Sequence, residues 1–278
     1  MKKSMKVLVS VLLIAILVFG VVQFCQLVED NAEALDNYTK KLALSIRGKN
    51  DEAQLSGSVE IPDEAVPAGN APEDAAALLA SDPHVQALMA LDLDAMKAVN
   101  SEVIGWILIP NTNINIPLMQ GDDNGEYMYH TWDHQLNSEG SVFMDSTSDT
   151  DFSNFNTIIY GQNATEISVF YDLQKYRHQM FWDANPYVYI RTANTVYRFE
   201  VFSSYFTDVE SAAYGLEFTG DDARLEFVNL ALENSVISTH LIPDTTGQFL
   251  TLSTRGAETE DTRWVVQACL NASVEIGK

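Results

Sequence analysis

The 278-residue sequence is poor in cysteine and in positive charge. Its two cysteines, Cys25 and Cys269, form no CxxC pair, which excludes a disulfide framework and a cysteine-rich metal site. Lys and Arg total 16 against 39 Asp and Glu, so the formal net charge is −23. A surface of this sign repels phosphate groups. We therefore expect no nucleic-acid partner and no docking of the main domain on anionic lipids.

Long apolar runs are also scarce, with one exception at 7–28. These 22 residues carry no charge and would span about 33 Å as a helix, enough for a hydrocarbon core of about 30 Å. Lys2, Lys3 and Lys6 precede the run and Glu29 follows it. The positive-inside rule then predicts a cytoplasmic tail at 1–6, a single-pass transmembrane helix and an extracytoplasmic main domain at the cell membrane.

A cleaved signal peptide is the alternative for 7–28. Such a peptide has a shorter apolar region and ends at a small-residue cleavage site. The run here ends in Gln23-Phe24-Cys25-Gln26, which fits that site poorly. Cys25 also lacks the small preceding residue that a lipoprotein signal needs. We therefore predict an uncleaved signal anchor with a membrane-buried thiol.

The composition changes after the apolar run. Residues 29–46 could continue as a helix, whereas 47–81 are rich in Pro, Gly, Ser, Ala and acidic residues and hold little apolar side-chain volume. The composition of 47–81 predicts a flexible, self-repelling stalk. We therefore predict an extracytoplasmic helix and acidic stalk over 29–81, with the folded domain at 82–278.

The folded part contains eight short runs of the kind typical of β-strands. They lie at 104–109, 113–119, 141–144, 157–160, 187–192, 196–202, 249–253 and 264–270. A turn at 193–194 predicts a hairpin. One helix is predicted at 221–233, capped by Asp221 or Asp222, with Leu225, Phe227, Val228 and Leu232 on its apolar face, and an earlier helix is predicted to begin at Ser81. This pattern predicts a mainly β fold, an eight-stranded barrel with helical insertions.

Four collinear stretches of the sequence stand out, namely NSEVIGWILIPNTNINIPLMQGDDNGEYMYH, GSVFMDS, NTIIYGQNATEISVFYDLQKY and TLSTRGAETEDTRWVVQACL. Together they resemble the class B sortases, which are membrane-anchored transpeptidases of Gram-positive bacteria that attach proteins to the cell wall or build pili. The resemblance covers about residues 85 to 271. It implies a sortase-like barrel, and the helix between the sixth and seventh strands is typical of class B.

The resemblance also implies three catalytic positions. In the family, a Cys thiolate forms a thioester with a sorting-signal peptide, a His transfers protons, and an Arg stabilises the oxyanion. The Arg position is occupied here by Arg263, but the His position by Gln162 and the Cys position by Arg255. A guanidinium is no nucleophile at neutral pH and an amide does not titrate. We therefore expect transpeptidase activity to be absent, and we expect no cofactor.

No other residue is an obvious replacement for the missing nucleophile or base. Ser253 and Thr254 precede Arg255, but strand alternation predicts that one of them faces away, and neither has an evident base. Cys269 lies in the next strand and is interpreted as a small buried thiol.

None of the five histidines occupies the family's His position. His84, His178 and His240 lie in predicted helical or loop segments. His130 and His134, with Asp133, could form a metal or acid–base cluster. Polar loop residues packing against Trp132 are the favoured interpretation, so no metal site is predicted.

Two arginines in one cleft require an explanation. Like charges about 4 Å apart repel by roughly 4 kcal/mol at an effective dielectric of 20. Glu258, Glu260 and Asp261 lie in the loop between the two arginines and could pair with them. Alternatively, Arg255 and Arg263 bind an anionic group such as a peptide carboxylate, with Gln162 adding a hydrogen bond.

Three functional interpretations follow. A non-catalytic surface protein would bind or scaffold sorting-signal peptides, surface or pilus proteins, or an active sortase. A degenerate enzyme would retain residual cysteine-type transpeptidase or peptidase activity, or use a displaced nucleophile. A decaying duplicate would have no defined role. The residues at 162 and 255 favour the first interpretation.

Overall fold

The computed structural model describes residues 77–256 and 261–277. The predicted cytoplasmic tail, the membrane segment and nearly all of the predicted stalk lie outside the described residues, as does the loop 257–260. Within the described ranges, no helix combines the length and the apolar character needed to cross a membrane.

Eight strands form in the predicted places, which confirms the mainly β expectation. They are β1 (Val103–Leu108), β2 (Asn115–Met119), β3 (Val142–Met144), β4 (Asn156–Tyr160), β5 (Tyr187–Arg191), β6 (Thr195–Asp208), β7 (Phe249–Arg255) and β8 (Thr262–Glu275). The two longest, β6 and β8, extend well beyond their apolar centres. Beyond these centres the two strands still pair with each other through backbone hydrogen bonds. Their ends therefore remain β-strand without burying apolar side chains.

The strands close into a barrel in the order β1-β2-β3-β4-β7-β8-β6-β5, and β5 pairs with β1. The predicted hairpin is confirmed as β5 and β6. Closure brings the backbones of β1 and β5 very close together at Gly105. A Cβ built there would lie 2.2 Å from the Arg191 carbonyl oxygen, so only glycine fits this seam.

Most neighbouring strands are antiparallel, but two pairs, β2–β3 and β4–β7, are parallel, and in the second pair Tyr160 lies opposite Ser253. Parallel strands end at the same edge of a sheet. The residues that follow β4 therefore lie beside the last residues of β7. This pairing places Gln162 and Arg255 on one rim of the barrel, although they are 93 positions apart in the sequence.

Short helices lie between the strands. They are α1 (Pro83–Met89), α2 (Leu93–Lys97), α3 (Gln179–Ala184) and α4 (Asp221–Asn234), with 3-10 helices at Glu126–Met128, Tyr171–Arg177 and Ala212–Tyr214. Residues 77–80 are also helical, and Leu79 is fully buried, so the folded unit extends slightly before 82. The predicted Ser81 cap of α1 was wrong. Asp82 caps this helix instead, because its carboxylate accepts a hydrogen bond of 2.8 Å from the His84 amide.

The predicted helix between β6 and β7 is confirmed as α4, but two details were wrong. Its N-cap is Gly220, at φ 85°, and no side chain caps it. Asp221 and Asp222 occupy the first turn, where their charge complements the helix dipole. Leu225 is 49% exposed, whereas Phe227 and Val228 are buried in a cluster over the outside of the barrel.

Candidate functional site

A cleft of about 490 Å³ opens at the rim where β4, β7 and β8 meet. Its lining combines apolar, hydroxyl and cationic side chains, namely those of Asn124, Met128, Tyr129, Ser138, Phe143, Tyr160, Gly161, Gln162, Ala164, Val209, Ser253, Thr254, Arg255 and Arg263. The structure thus brings all three sequence-predicted site residues to the same cavity. None of the described lining residues is a cysteine or a histidine.

The two arginines stand directly opposite each other across the β7–β8 pair. Arg255 is the exposed last residue of β7, and Arg263 is half-buried near the start of β8. One Arg263 guanidinium nitrogen, Nη1, donates to the Thr262 carbonyl at 3.1 Å. Of the acidic residues proposed to pair with them, Glu258 and Glu260 lie outside the described residues, and Asp261 is exposed. The register therefore places two guanidinium-bearing side chains next to each other on one wall of the cleft.

Gln162 connects two walls of the cleft. Its side-chain nitrogen donates to the Met128 backbone carbonyl at 3.0 Å. Its backbone carbonyl accepts a hydrogen bond from the Phe170 backbone amide at 2.9 Å. The next residue, Asn163, donates to the Arg255 carbonyl at 3.2 Å. The segment after β4 is thus fixed both to the 3-10 helix at Glu126–Met128 and to the end of β7. An amide in this position serves as a hydrogen-bonding brace and cannot transfer protons.

Ser253 and Thr254 both contribute to the lining of the cleft. The Thr254 hydroxyl donates to the Gly161 carbonyl at 2.7 Å. The Ser253 hydroxyl lies 2.7 Å from that of Tyr214. Burial raises the pKa of Tyr214, although its hydrogen bond with Ser253 and the charge of Arg263 act in the opposite direction. A protonated phenol is not a base, so Ser253 gains no activation from this contact.

Cys269 lies far from the cleft. It pairs with Phe249 on β7, six residues along β8 from Arg263, or about 20 Å at about 3.3 Å per residue. Burial, with a contribution from Glu200, raises the pKa of its thiol to about 12. The thiol therefore stays protonated at neutral pH. Its position supports the interpretation of Cys269 as a packed thiol without a role in the cleft.

The loop 129–137 contains His130, Asp133 and His134. The His130 ring bonds to the Glu126 carbonyl, while Asp133 accepts a hydrogen bond from Thr131. Trp132 of the same loop is buried, at 4% exposure. His134, however, joins Glu126 and Glu102 in a group of possible metal ligands. Sequence reasoning missed this group because its members come from three separate segments with no common spacing.

The comparisons with known proteins agree with the barrel and the cleft. Residues 107–271, more than half of the chain, match the Sortase domain family. Sortase B of Listeria monocytogenes is 30% identical over 181 residues, which cover 64% of this chain and 74% of that protein. Sortase B of Staphylococcus aureus is 27% identical over 174 residues, covering 62% and 71%.

A solved structure gives the same result. The chain superposes on a Staphylococcus aureus sortase B–substrate complex with a TM-score of 0.61 and 27% identity, covering 64% of this chain and 84% of that one. The eight-stranded barrel is shared, and the curated relatives are sortases of class B. The chain therefore belongs to the sortase family, in class B.

Proposed function

We propose that this protein is a membrane-anchored, extracytoplasmic class B sortase homologue that binds a peptide or protein partner without transpeptidation. One observation carries the proposal: Gln162 and Arg255 line the same cleft as Arg263, at the positions where the family resemblance implies His and Cys. A sortase acyl intermediate requires a thiolate, which neither residue supplies. Arg263, which matches the family's Arg, is retained.

The lining of the cleft suits an extended peptide that carries a negative charge. Met128, Tyr129 and Phe143 offer apolar surface, while Arg255 and Arg263 offer guanidinium donors. Guanidinium groups bind carboxylates through paired, charge-assisted hydrogen bonds. A peptide carboxylate beside the two arginines would offset their mutual repulsion. A solved structure of a Staphylococcus aureus relative is a sortase B–substrate complex, which supports a substrate-binding role for the barrel here.

The anchoring part of the proposal depends on the apolar run 7–28 and on the basic residues before it. This arrangement would hold the barrel outside the cell membrane, where sorting-signal peptides, surface or pilus proteins and active sortases of a Gram-positive cell wall would reach the cleft.

Calorimetric titration of the full-length protein in detergent tests the binding role. The probe is the substrate found in the Staphylococcus aureus sortase B complex, prepared with a free carboxylate and as an amide. We expect the wild type to bind the acid more tightly than the amide. Arg255→Ala should weaken binding of the acid by about tenfold, because a charge-assisted hydrogen bond is lost. Arg198→Ala, which removes a β6 guanidinium outside the cleft, is the matched control and should bind like the wild type.

Chromatography and intact-mass measurement of the same mixtures test the lack of catalysis. We expect the peptide to remain uncleaved and the protein mass to remain unchanged. A covalent acyl adduct, or cleavage that a thiol-blocking reagent abolishes, would contradict the proposal. Equal failure of the wild type and Arg255→Ala to bind either peptide would refute the ligand role of the two arginines.

A further inference from the structure

Three side chains with metal-binding atoms converge beside the 3-10 helix at Glu126–Met128. Glu102 immediately precedes β1, Glu126 begins the 3-10 helix, and His134 lies in the loop that follows. One ligand atom from each lies within 4.8 Å of the other two. We propose that Glu102, Glu126 and His134 form a binding site for a divalent transition metal such as Zn²⁺.

The charge balance of this triad favours a cation. His134 Nδ1 lies 3.0 Å from a Glu126 carboxylate oxygen, and Nε2 lies 4.0 Å from a Glu102 oxygen. Within 77–256 and 261–277, no Lys or Arg nitrogen lies within 4.0 Å of either carboxylate. Two carboxylates therefore face one imidazole. A divalent cation would neutralise both carboxylates at once.

Buried polar groups on the protein-interior side orient the Glu102 carboxylate. The Tyr127 hydroxyl donates to it, and Asn100 Nδ2 donates to that hydroxyl at 2.8 Å. Tyr127 is fully buried and Asn100 is 4% exposed. Hydrogen bonds of this kind, which position a ligand before the metal arrives, are typical of metal sites.

The donor set selects the type of metal. One imidazole nitrogen with two carboxylate oxygens suits Zn²⁺, whereas Ca²⁺ and Mg²⁺ prefer oxygen ligands alone. The side chains of Glu126 and His134 are 38% and 46% exposed, so a metal can enter from solvent and keep a water ligand. Ligands of tetrahedral zinc lie about 3.3 Å apart when each bond is about 2 Å, so small rotations of these exposed side chains would close the site.

Metal binding here would also brace the cleft. The 3-10 helix that begins at Glu126 ends at Met128, which lines the cleft and accepts the hydrogen bond from Gln162. A metal joining Glu126 to Glu102 and His134 would hold this wall against the start of β1. The site is separate from the two arginines, and the inference does not depend on the proposed peptide binding.

Titration with Zn²⁺ tests the site directly. The full-length protein, purified in detergent and freed of metal with a chelator, is titrated by calorimetry, and its thermal unfolding is followed with and without Zn²⁺. We expect one Zn²⁺ per chain with micromolar affinity and a raised unfolding temperature. His134→Ala and Glu126→Gln should each weaken binding by about tenfold or more. His178→Ala, at an exposed histidine outside the triad, should bind like the wild type.

The two exposed triad positions tolerate substitution, so unfolding temperatures without metal should match the wild type and show that both variants fold. Mg²⁺ at the same concentrations should neither bind nor shift unfolding. Absence of wild-type Zn²⁺ binding below millimolar concentrations would overturn the inference. So would equal Zn²⁺ affinity in the wild type, His134→Ala and Glu126→Gln, which would place the metal on other acidic residues of the chain.

Discussion

The two ends of the β7–β8 strand pair are chemically opposite. At one end Arg255 pairs with Arg263 on one wall of an open cleft, and at the other end Phe249 pairs with Cys269 beside a buried aromatic cluster. The described part of the chain thus has a thiol on the same strand pair as its cleft, but at the wrong end. The chain contains a thiol, but its position along β8 keeps it out of the cleft. The thiol is therefore not available for nucleophilic chemistry there.

The buried end should dominate stability. Phe249 is 1% exposed, and its ring centroid lies 4.8 Å from that of Phe155 and 5.4 Å from that of Phe227. Phe249→Ala should therefore lower the free energy of unfolding by about 3 to 5 kcal/mol, since it removes a large ring from a packed cluster. Urea unfolding followed by circular dichroism measures this change.

Leu225→Ala is the control for the Phe249 substitution, because this α4 side chain is 49% exposed. It should change stability by less than about 0.5 kcal/mol. A loss of under about 1 kcal/mol for Phe249→Ala would mean that the cluster relaxes around the cavity, and the contrast between the two strand ends would disappear.

The reactivity of Cys269 sharpens the comparison further. Because its pKa is raised to about 12, the thiol should react with iodoacetamide about a thousandfold more slowly at pH 7 than an ordinary exposed cysteine. The rate should increase about tenfold for each pH unit up to that pKa, since the thiolate is the nucleophile. Mass spectrometry of the Cys25→Ala protein, which leaves one thiol, provides the measurement.

Denaturation serves as the positive control, because unfolding should restore the ordinary reaction rate of Cys269. Rapid labelling in the folded state at neutral pH would show that Cys269 is an accessible thiolate. Such a result would support the alternative interpretation, in which the protein is an enzyme that uses Cys269 as a displaced nucleophile.

The strands were predictable because each contains a short run of branched and aromatic residues that the barrel buries. The ends of β6 and β8 were not, since their polar residues continue the ladder through backbone pairing alone. The cap of α1 at Asp82 was missed for a related reason: Ser81 and Asp82 are both good capping residues, and only the backbone geometry decides between them.

The cleft residues could be predicted from the sequence, whereas the metal-ligand triad could not. Gln162, Arg255 and Arg263 were located by the family motifs, and their shared cleft follows from the parallel pairing of β4 with β7. The triad of Glu102, Glu126 and His134 has no such motif. Its members meet only because the loop after β2 folds back against the start of β1, and a single sequence carries no sign of that contact.

A substitution at the Arg255 end of the strand pair should change the free energy of unfolding least. The sign of that change shows whether Arg255 is repelled by Arg263 or is paired with an acidic residue. Like charges directly opposite on neighbouring strands destabilise a sheet, so Arg255→Gln should raise the free energy of unfolding by about 0.5 kcal/mol at low salt. High salt should remove the gain in stability, because Arg255 is exposed and its interactions are screened.

Arg198→Gln is the control. It removes a β6 guanidinium that donates hydrogen bonds to Asn271, so this substitution should not raise the free energy of unfolding. A salt-sensitive loss of stability in Arg255→Gln would instead indicate that acidic residues of the 257–261 loop pair with Arg255, and the peptide carboxylate would then compete with an internal partner.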